Sequence, residues 1–365
     1  MSIYLLLILI SLLLLGLRNS IVYKNNVLRN IILFSIVLLL LFLTVSRGIT
    51  VGTDYPAYNG YFYSTKDELK VQYIENGYIL LNSFAQSLNI FIIIPMCEFI
   101  ISFFGMYSLA KVNNCNDFSF ISMYILTYTY MQSFNALRQF IAIGFITFGC
   151  TFLFSNRKFK LFWFVIFILL AYEFHSSSLI MLIIPILMKI RVTNVKVLLA
   201  GILTSFLFIS KLGLKIIQPL IMMNDHYAIK YSDQASFLIS AGNKGIVQFL
   251  PVIIQFILFY LFLTISKKNQ NSSYVVNQVK YNFVLSGYLF FLMFYSVGGN
   301  GVMDRIQMFF FIFCIMANCY FIDNVAGTSS EIRYLYQVSV ILFWIVYCLL
   351  RLIINNADVV PYVFN

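Results

Sequence analysis

Ile31-Ile32-Leu33-Phe34-Ser35-Ile36-Val37-Leu38-Leu39-Leu40-Leu41-Phe42-Leu43-Thr44-Val45 carries no charged side chain and runs straight into Ser46-Arg47-Gly48. As a helix rising about 1.5 Å per residue, this stretch with its flanks is long enough to cross a hydrocarbon layer of about 30 Å. Comparable runs recur at Phe140–Phe154, Ile246–Ile265 and Ile306–Phe321. With 61% hydrophobic and only 10% charged residues among 365, an ordinary water-soluble domain is excluded. The pattern predicts an all-α polytopic membrane protein with about twelve transmembrane helices. Residues 1–365 read as a single integral membrane domain, with no soluble domain and no low-complexity tail.

Charge sets the expected orientation. Arg18, Lys24 and Arg29 follow the first apolar run, Ile3–Leu17. That run has no basic residue before it and no small-x-small cleavage site after it, so it reads as a retained helix rather than a signal peptide. The positive-inside rule then places Met1 outside. Alternation puts Lys111, the Arg157/Lys158/Lys160 and Lys189/Arg191/Lys196 clusters, Lys267/Lys268/Lys280 and Arg333 inside as well. To keep this parity, Tyr78–Leu88 is read as an interfacial or re-entrant helix and Ile90–Ala110 as the span. Phe118–Phe154 becomes two crossings joined by a tight turn near Asn135–Arg138. The outer face then carries loops at about 47–77 and 214–245 and short turns at Glu173–Ser176 and Gly298–Arg305. The net charge of +11 is orientation signal and anionic-lipid affinity, not a nucleic-acid surface. None of the six cysteines falls in an outer loop, and no Cys/His spacing suggests zinc.

The ionisable residues of interest gather on this outer face, where side chains of this kind in a membrane protein are candidate functional groups. Arg47 leaves a helix and is followed by Gly48, Gly52, Asp54, Tyr55, Pro56 and Tyr58. A guanidinium there suits bidentate phosphate binding, and the two tyrosines offer flat faces for sugar stacking. A snorkelling arginine in an aromatic belt is the plainer reading of the same residues. Tyr128, Gln132, Asn135 and Gln139 recur at helical spacing and predict one polar stripe that ends beside Arg138. An arginine at helix-centre depth costs about 2.5–3.5 kcal/mol on insertion scales, so a partner anion is expected near it. His175 opens a helix after Glu173-Phe174, and its imidazole is a candidate base. His226, in the second outer loop, makes a weaker candidate. Asp304-Arg305 follows Gly298-Gly299-Asn300-Gly301 and supplies a second acid and anion ligand, unless the two simply pair. No P-loop, GxSxG elbow, HExxH or acidic metal pair occurs.

Taken in order, Gly52-Thr53-Asp54-Tyr55 with Tyr58, Glu75 with Gly77-Tyr78, Asn135 with Arg138-Gln139 and Ala142, Phe174-His175 with Ser177, and Asp304-Arg305 resemble the EpsG-like branch of the Wzy-type bacterial polysaccharide polymerases. The resemblance covers most of the chain. It implies a GT-C-like membrane glycosyltransferase that joins undecaprenyl-diphosphate-linked oligosaccharide repeat units, of O-antigen or capsule type, at the outer face of the bacterial cytoplasmic (inner) membrane. Under it, Arg47, Arg138 and Arg305 are assigned to the diphosphate. Tyr55, Tyr58, Asn135 and Gln139 are assigned to the sugars, and His175, Asp54 and Asp304 are the candidates for catalysis. No metal or other cofactor is expected, because the arginines can neutralise the leaving diphosphate. Partners are the lipid-linked oligosaccharide, membrane lipid and a candidate chain-length regulator protein, with no nucleic acid. A flippase or transporter of lipid-linked oligosaccharide, another lipid-phosphate-dependent glycosyltransferase or ligase, and a membrane O-acyltransferase are the rival readings.

Overall fold

A computed structural model describes residues 1–210, 212, 246–267, 278–297, 301–325 and 329–365. Most of the expected second outer loop, His226 with it, and the Gly298–Asn300 turn lie outside the described residues. Among the described residues every regular element is helical, and the nearest thing to a sheet is one isolated bridge between Arg47 and Phe364. In chain order these are α1 (Ser2–Leu17), α2 (Ile21–Lys24), α3 (Asn26–Val45), α4 (Tyr55–Tyr63), α5 (Lys66–Val71), α6 (Asn76–Leu88), α7 (Ile93–Val112), α8 (Asp117–Leu126), α9 (Thr129–Ser133), α10 (Leu137–Leu153) and α11 (Lys160–Tyr172). A 3-10 helix (Ser176–Ile183) leads into α12 (Ile184–Leu187), followed by α13 (Asn194–Ser210), α14 (Ile246–Lys267), α15 (Gln278–Val297), α16 (Gly301–Met308), α17 (Phe311–Asp323) and α18 (Ser330–Ile353).

The protein is a multi-pass membrane protein. Among the described residues four segments, rather than the expected twelve, are each long and apolar enough to cross a bilayer: Asn26–Val45, Ile93–Val112, Phe249–Ser266 and Ser330–Ile353. Several further apolar helices among the described residues are shorter, at 10–17 residues. α3 shows why such helices belong in lipid: it buries Ile36, Leu40 and Leu43 yet turns Phe34, Leu38 and Phe42 outward. A helix apolar on both faces has no side suited to water.

The described residues form two compact units. The first comprises Met1–Pro185, Asn318–Asp323 and Ile341–Asn365, and the second Ile186–Ala317 and Asn324–Val340. Within the second, the buried Tyr288 hydroxyl meets Gln255 Oε1 at 3.1 Å, and the Tyr336 hydroxyl donates to the Leu258 carbonyl at 2.9 Å.

In the first unit, α6 and α7 are separate helices, as the sequence parity requires. α6 stops at Asn89, whose left-handed φ of 54° closes the helix end. α7 and α10 pack closely because glycines meet at the crossing. A Cβ on Gly105 would lie 2.4 Å from the Gly144 carbonyl oxygen, a distance no side chain tolerates. At one end of this unit three of the cations expected inside come together. Arg18 pairs with Asp323 at 3.3 Å, while Lys111 at 2.9 Å and Arg29 at 3.6 Å share Asp117. The Tyr107 hydroxyl also donates to Asp117, at 2.9 Å.

The expected polar stripe is corrected. Tyr128 adopts a left-handed φ of 68° before α9, and Ala136 is non-helical before α10. Tyr128, Gln132, Asn135 and Gln139 therefore fall on three pieces of chain, and helical periodicity does not carry through the breaks. The turn expected near Asn135–Arg138 is present, between α9 and α10.

Candidate functional site

The site begins where α11 ends. Glu173 caps that helix, His175 follows in extended conformation (φ −157°, ψ 111°), and the 3-10 helix starts at Ser176. The start of α6 lies against this corner because residue 77 is glycine. Its amide donates to the Glu173 carbonyl at 2.8 Å, and a Cβ on Gly77 would sit 2.6 Å from that same oxygen. The close approach delivers Glu75, the residue preceding α6, to His175. Glu75 Oε1 accepts the Ser176 amide at 3.3 Å and lies 3.8 Å from His175 Nδ1. Glu75 Oε2 forms an ion pair with Arg138 Nη1. The three side chains retain 18%, 12% and 22% exposure for Glu75, His175 and Arg138, so the group is reachable from outside the bundle.

Arg138 reaches this point as the second residue of α10, just after the turn. Its other neighbours are phenols. The Tyr58 phenol interacts electrostatically with it, and the Tyr78 ring centroid lies 6.0 Å from the guanidinium carbon. Tyr58, Tyr61 and Tyr78 contact one another with centroids 5.6–6.3 Å apart. Burial pushes the Tyr58 phenol above its ordinary range and the Arg138 charge offsets part of that rise, so at neutral pH Tyr58 keeps its proton. These tyrosines belong to a small core that also takes in Phe62, Leu69, Ile74 and Leu137. The segment expected as the first outer loop is thus a folded element with its own packing. α6 is tied across it, Asn82 Nδ2 donating to the Tyr61 carbonyl at 2.9 Å and Gln86 Nε2 to the Ser64 carbonyl at 2.9 Å.

A carboxylate shared by a guanidinium and an imidazole, ringed by phenols at a membrane-protein surface, provides a cation, a proton acceptor and hydroxyl donors within one group. The EpsG family profile matches residues 30–364, nearly the whole chain. The chain belongs to the EpsG family. This is a Wzy-like polysaccharide polymerase family. No curated protein and no solved structure matches the chain.

Other residues expected at an EpsG-family site have settings of their own. Asp54 is half-buried before α4, makes no side-chain cap, and acts electrostatically on Tyr58. The faces of Tyr55 and Tyr58, expected to be open for sugars, are taken up inside the protein: Tyr55 packs on Phe91 and Arg47, and Tyr58 on Tyr61 and Tyr78. The physical reason is that the segment around α4 uses these rings as its own core. Asn135 spends its amide on backbone, accepting from the Asp54 amide at 3.4 Å and donating to the Ala357 carbonyl at 2.9 Å. Gln139 is buried in α10. Arg47 is buried at 1% exposure between the rings of Tyr55 and Phe134. Arg305 stands in the second unit, on α16, and so does Asp304, whose side chain lies outside the described residues. Gly301–Arg305, expected within a turn, are helical in α16, because Val302–Met308 holds several good helix formers.

Two contributors escaped the list of site residues drawn from sequence. Glu75 was visible only as part of Glu75-x-Gly77-Tyr78, and the expected anion partner of Arg138 was the signal that could have singled it out. The other is the segment following α18. Gly52 and Thr53 donate their amides to the carbonyls of Asp358 and Ala357 at 2.8 and 3.2 Å, and Gly48 donates to Val363 at 2.7 Å. The Tyr128 and Tyr4 hydroxyls donate to Asn356 and Val359 at 2.6 and 2.7 Å. Residues 355–365 therefore strap the loop that carries Asp54, and no local sequence pattern announces a pairing some 300 residues apart.

Proposed function

We propose that this protein is a polysaccharide polymerase, a glycosyltransferase joining undecaprenyl-diphosphate-linked oligosaccharide repeat units at the outer face of the bacterial cytoplasmic membrane. The observation that carries the reading is the Glu75–Arg138–His175 group, in an EpsG-family chain, at the end of the first unit away from its Arg18, Arg29 and Lys111 cluster. In the reaction, a hydroxyl oxygen of the acceptor unit bonds to the anomeric carbon of the donor chain. The bond from that carbon to the diphosphate oxygen breaks, and undecaprenyl diphosphate leaves with the electron pair.

His175 takes the hydroxyl proton. Glu75 on the Nδ1 side favours the tautomer with Nε2 basic and stabilises the imidazolium as it forms, a role carboxylates play in other acid–base pairs. The 3.8 Å spacing is loose, as catalytic hydrogen bonds often are before substrate binds. Arg138 neutralises charge developing on the departing diphosphate, and the Tyr58 hydroxyl beside it is a further donor. Arg305 and Asp304 are retained as additional diphosphate and acid–base candidates. A chain-length regulator protein is the proposed partner.

Surface polysaccharide from a strain lacking this gene, complemented with intact protein, Arg138→Ala or His175→Ala, tests the reading on a gel. A single repeat unit in the deletion strain, a ladder with intact protein and no ladder with either variant at normal membrane level are expected. A normal ladder from stably expressed Arg138→Ala would remove the diphosphate assignment. Loss of even the single unit in the deletion strain would favour a transporter instead.

A further inference from the structure

Just beyond α18, four consecutive backbone carbonyls are each taken by a donor from a distant segment. Asn356 accepts the Tyr128 hydroxyl at 2.6 Å, Asp358 the Gly52 amide at 2.8 Å and Val359 the Tyr4 hydroxyl at 2.7 Å. The Ala357 carbonyl takes two donors at once, the Thr53 amide at 3.2 Å and Asn135 Nδ2 at 2.9 Å. Asn135 Oδ1 completes the junction by accepting the Asp54 amide at 3.4 Å. One backbone oxygen therefore joins two segments that lead into the candidate site. Thr53 runs through Asp54 into α4, which carries Tyr58, and Asn135 stands three residues before Arg138. Tyr58 and Arg138 then border the same Tyr78 ring, with centroid distances of 5.6 Å for the Tyr58 ring and 6.0 Å for the guanidinium carbon.

The backbone that carries this oxygen is in a costly conformation. Ala357 holds φ 72° and ψ 13°, where an L-residue's Cβ crowds the following carbonyl. Asn355, at φ 49°, has an ordinary reason for its own left-handed turn, because asparagine there closes the end of α18. Aspartate, as at Asp358 with φ 50°, tolerates the region through local hydrogen bonds. Alanine has neither excuse. Across the junction Gly52 (φ 110°) and Tyr128 (φ 68°) are left-handed too, so five of the eight such residues among the described residues meet here. Conformations of this kind persist where surrounding contacts over-determine them, and they gather at functional sites.

We propose that Ala357 is a positioning residue of the candidate site. Its left-handed backbone aims one carbonyl at Thr53 and Asn135 together, and so fixes the segment entering α4 against the turn before α10, with Tyr58 and Arg138 on either side of Tyr78. Residues 355–359 thereby form part of the site's framework without touching substrate. That this spacing serves glycosyl transfer rests on the reading given under Proposed function, whereas the junction itself does not.

The test uses the full-length protein, in detergent for melting and amide exchange and in membranes for polymer formation, with Ala357→Gly, Ala357→Val, Asn135→Ala and the Ala357→Val/Asn135→Ala double variant. Glycine adopts positive φ without a Cβ penalty, so Ala357→Gly is expected to raise the melting temperature and to slow exchange at Gly52 and Thr53. Valine resists that φ, and Ala357→Val is expected to speed exchange about tenfold or more at both 52–58 and 135–140, with the start of α8 unaffected, and to lower polymer per molecule about tenfold. Because both substitutions act on one oxygen, the double variant should lose less than the two single losses combined. Faster exchange in only one of the two segments, additive losses, or a lower melting temperature for Ala357→Gly would overturn the junction. Exchange that quickens uniformly through the unit would reduce Ala357 to a residue of general stability and overturn the positioning. So would parental polymer per molecule from an Ala357→Val protein in which both segments exchange faster. If Ala357→Val fails to accumulate, Ala357→Gly placed in Asn135→Ala decides: relief of the strained φ should recover part of the lost protection at Gly52 and Thr53, and no recovery would overturn the proposal. Absence of polymer from the intact protein would defeat only the polymerase reading, because melting and exchange still decide the junction.

Discussion

The two ends of the first unit use the same residue types for different ends. At one, the Asp117 carboxylate is 1% exposed and fully committed, to Lys111 and Tyr107 through Oδ1 and to Arg29 through Oδ2. Tyr23, near Asp117, packs edge-on against Phe118, with Arg29 over its ring. Those contacts tie α3, α7 and α8 together. At the other end, Glu75 divides itself among Arg138, His175 and the Ser176 amide while remaining 18% exposed. Its partners come from helix ends and turns, and phenols rather than aliphatic side chains surround them. A buried carboxylate whose every oxygen is matched is a structural tie, whereas a shared carboxylate at the surface leaves an imidazole and a guanidinium available for a ligand. The difference lies in exposure and in how each carboxylate is divided, not in which residues are present.

Substitutions can break this comparison at several levels. His175→Ala should have the largest effect, lowering polymer formation by about 10²–10⁴-fold, the usual contribution of a general base, with the membrane level of the protein unchanged. Gly77→Ala should come next. Its new methyl group meets the Glu173 backbone and must push Glu75 from His175, so polymer per molecule should fall about tenfold or more, beside a stability loss of about 1–3 kcal/mol from the clash; unchanged polymer would mean the Glu75–His175 approach is incidental.

Asp117→Ala should do the reverse. Leaving Arg29 and Lys111 without their anion should cost about 3 kcal/mol, near the low end for a broken buried pair because Lys111 is half exposed, and should be read as reduced melting temperature with polymer per molecule retained. Asn135→Ala removes the side-chain bonds joining the Asp54 segment to Ala357, and a loss of about 1–2 kcal/mol is expected, together with faster amide exchange at Gly52 and Thr53. Exchange unaltered there would show that the strap at 355–365 holds without Asn135.

The smallest effect concerns α5, between α4 and α6. Thr65 and Glu68 cap each other there, and the Thr65 amide and hydroxyl hold the Glu68 carboxyl below its usual range. A group whose folded value is depressed stabilises above its unfolded value, and that stability disappears as pH falls through the folded one. Proteolysis near residues 64–72 should therefore increase only in the acid range below ordinary glutamate values, and Thr65→Ala should abolish the dependence.

Sequence alone determined the class of this protein. Uncharged runs such as Ile31–Val45 need a membrane, because apolar surface of that length has no soluble alternative. It also separated α6 from α7, put a turn before Arg138, and singled out Arg138 and His175, since an ionisable side chain costs enough in such a chain to stand out. What it could not decide was which charges meet. Glu75 joins His175 across 100 residues because Gly77 lets two backbones touch, Tyr55 and Tyr58 turn inward because their loop builds a core of its own, and residues 355–365 return to bind Gly48–Thr53. Periodicity and composition report on a residue's near neighbours along the chain. Ion pairs, ring clamps and backbone straps between distant segments depend on packing, and only the tertiary structure brings those partners together.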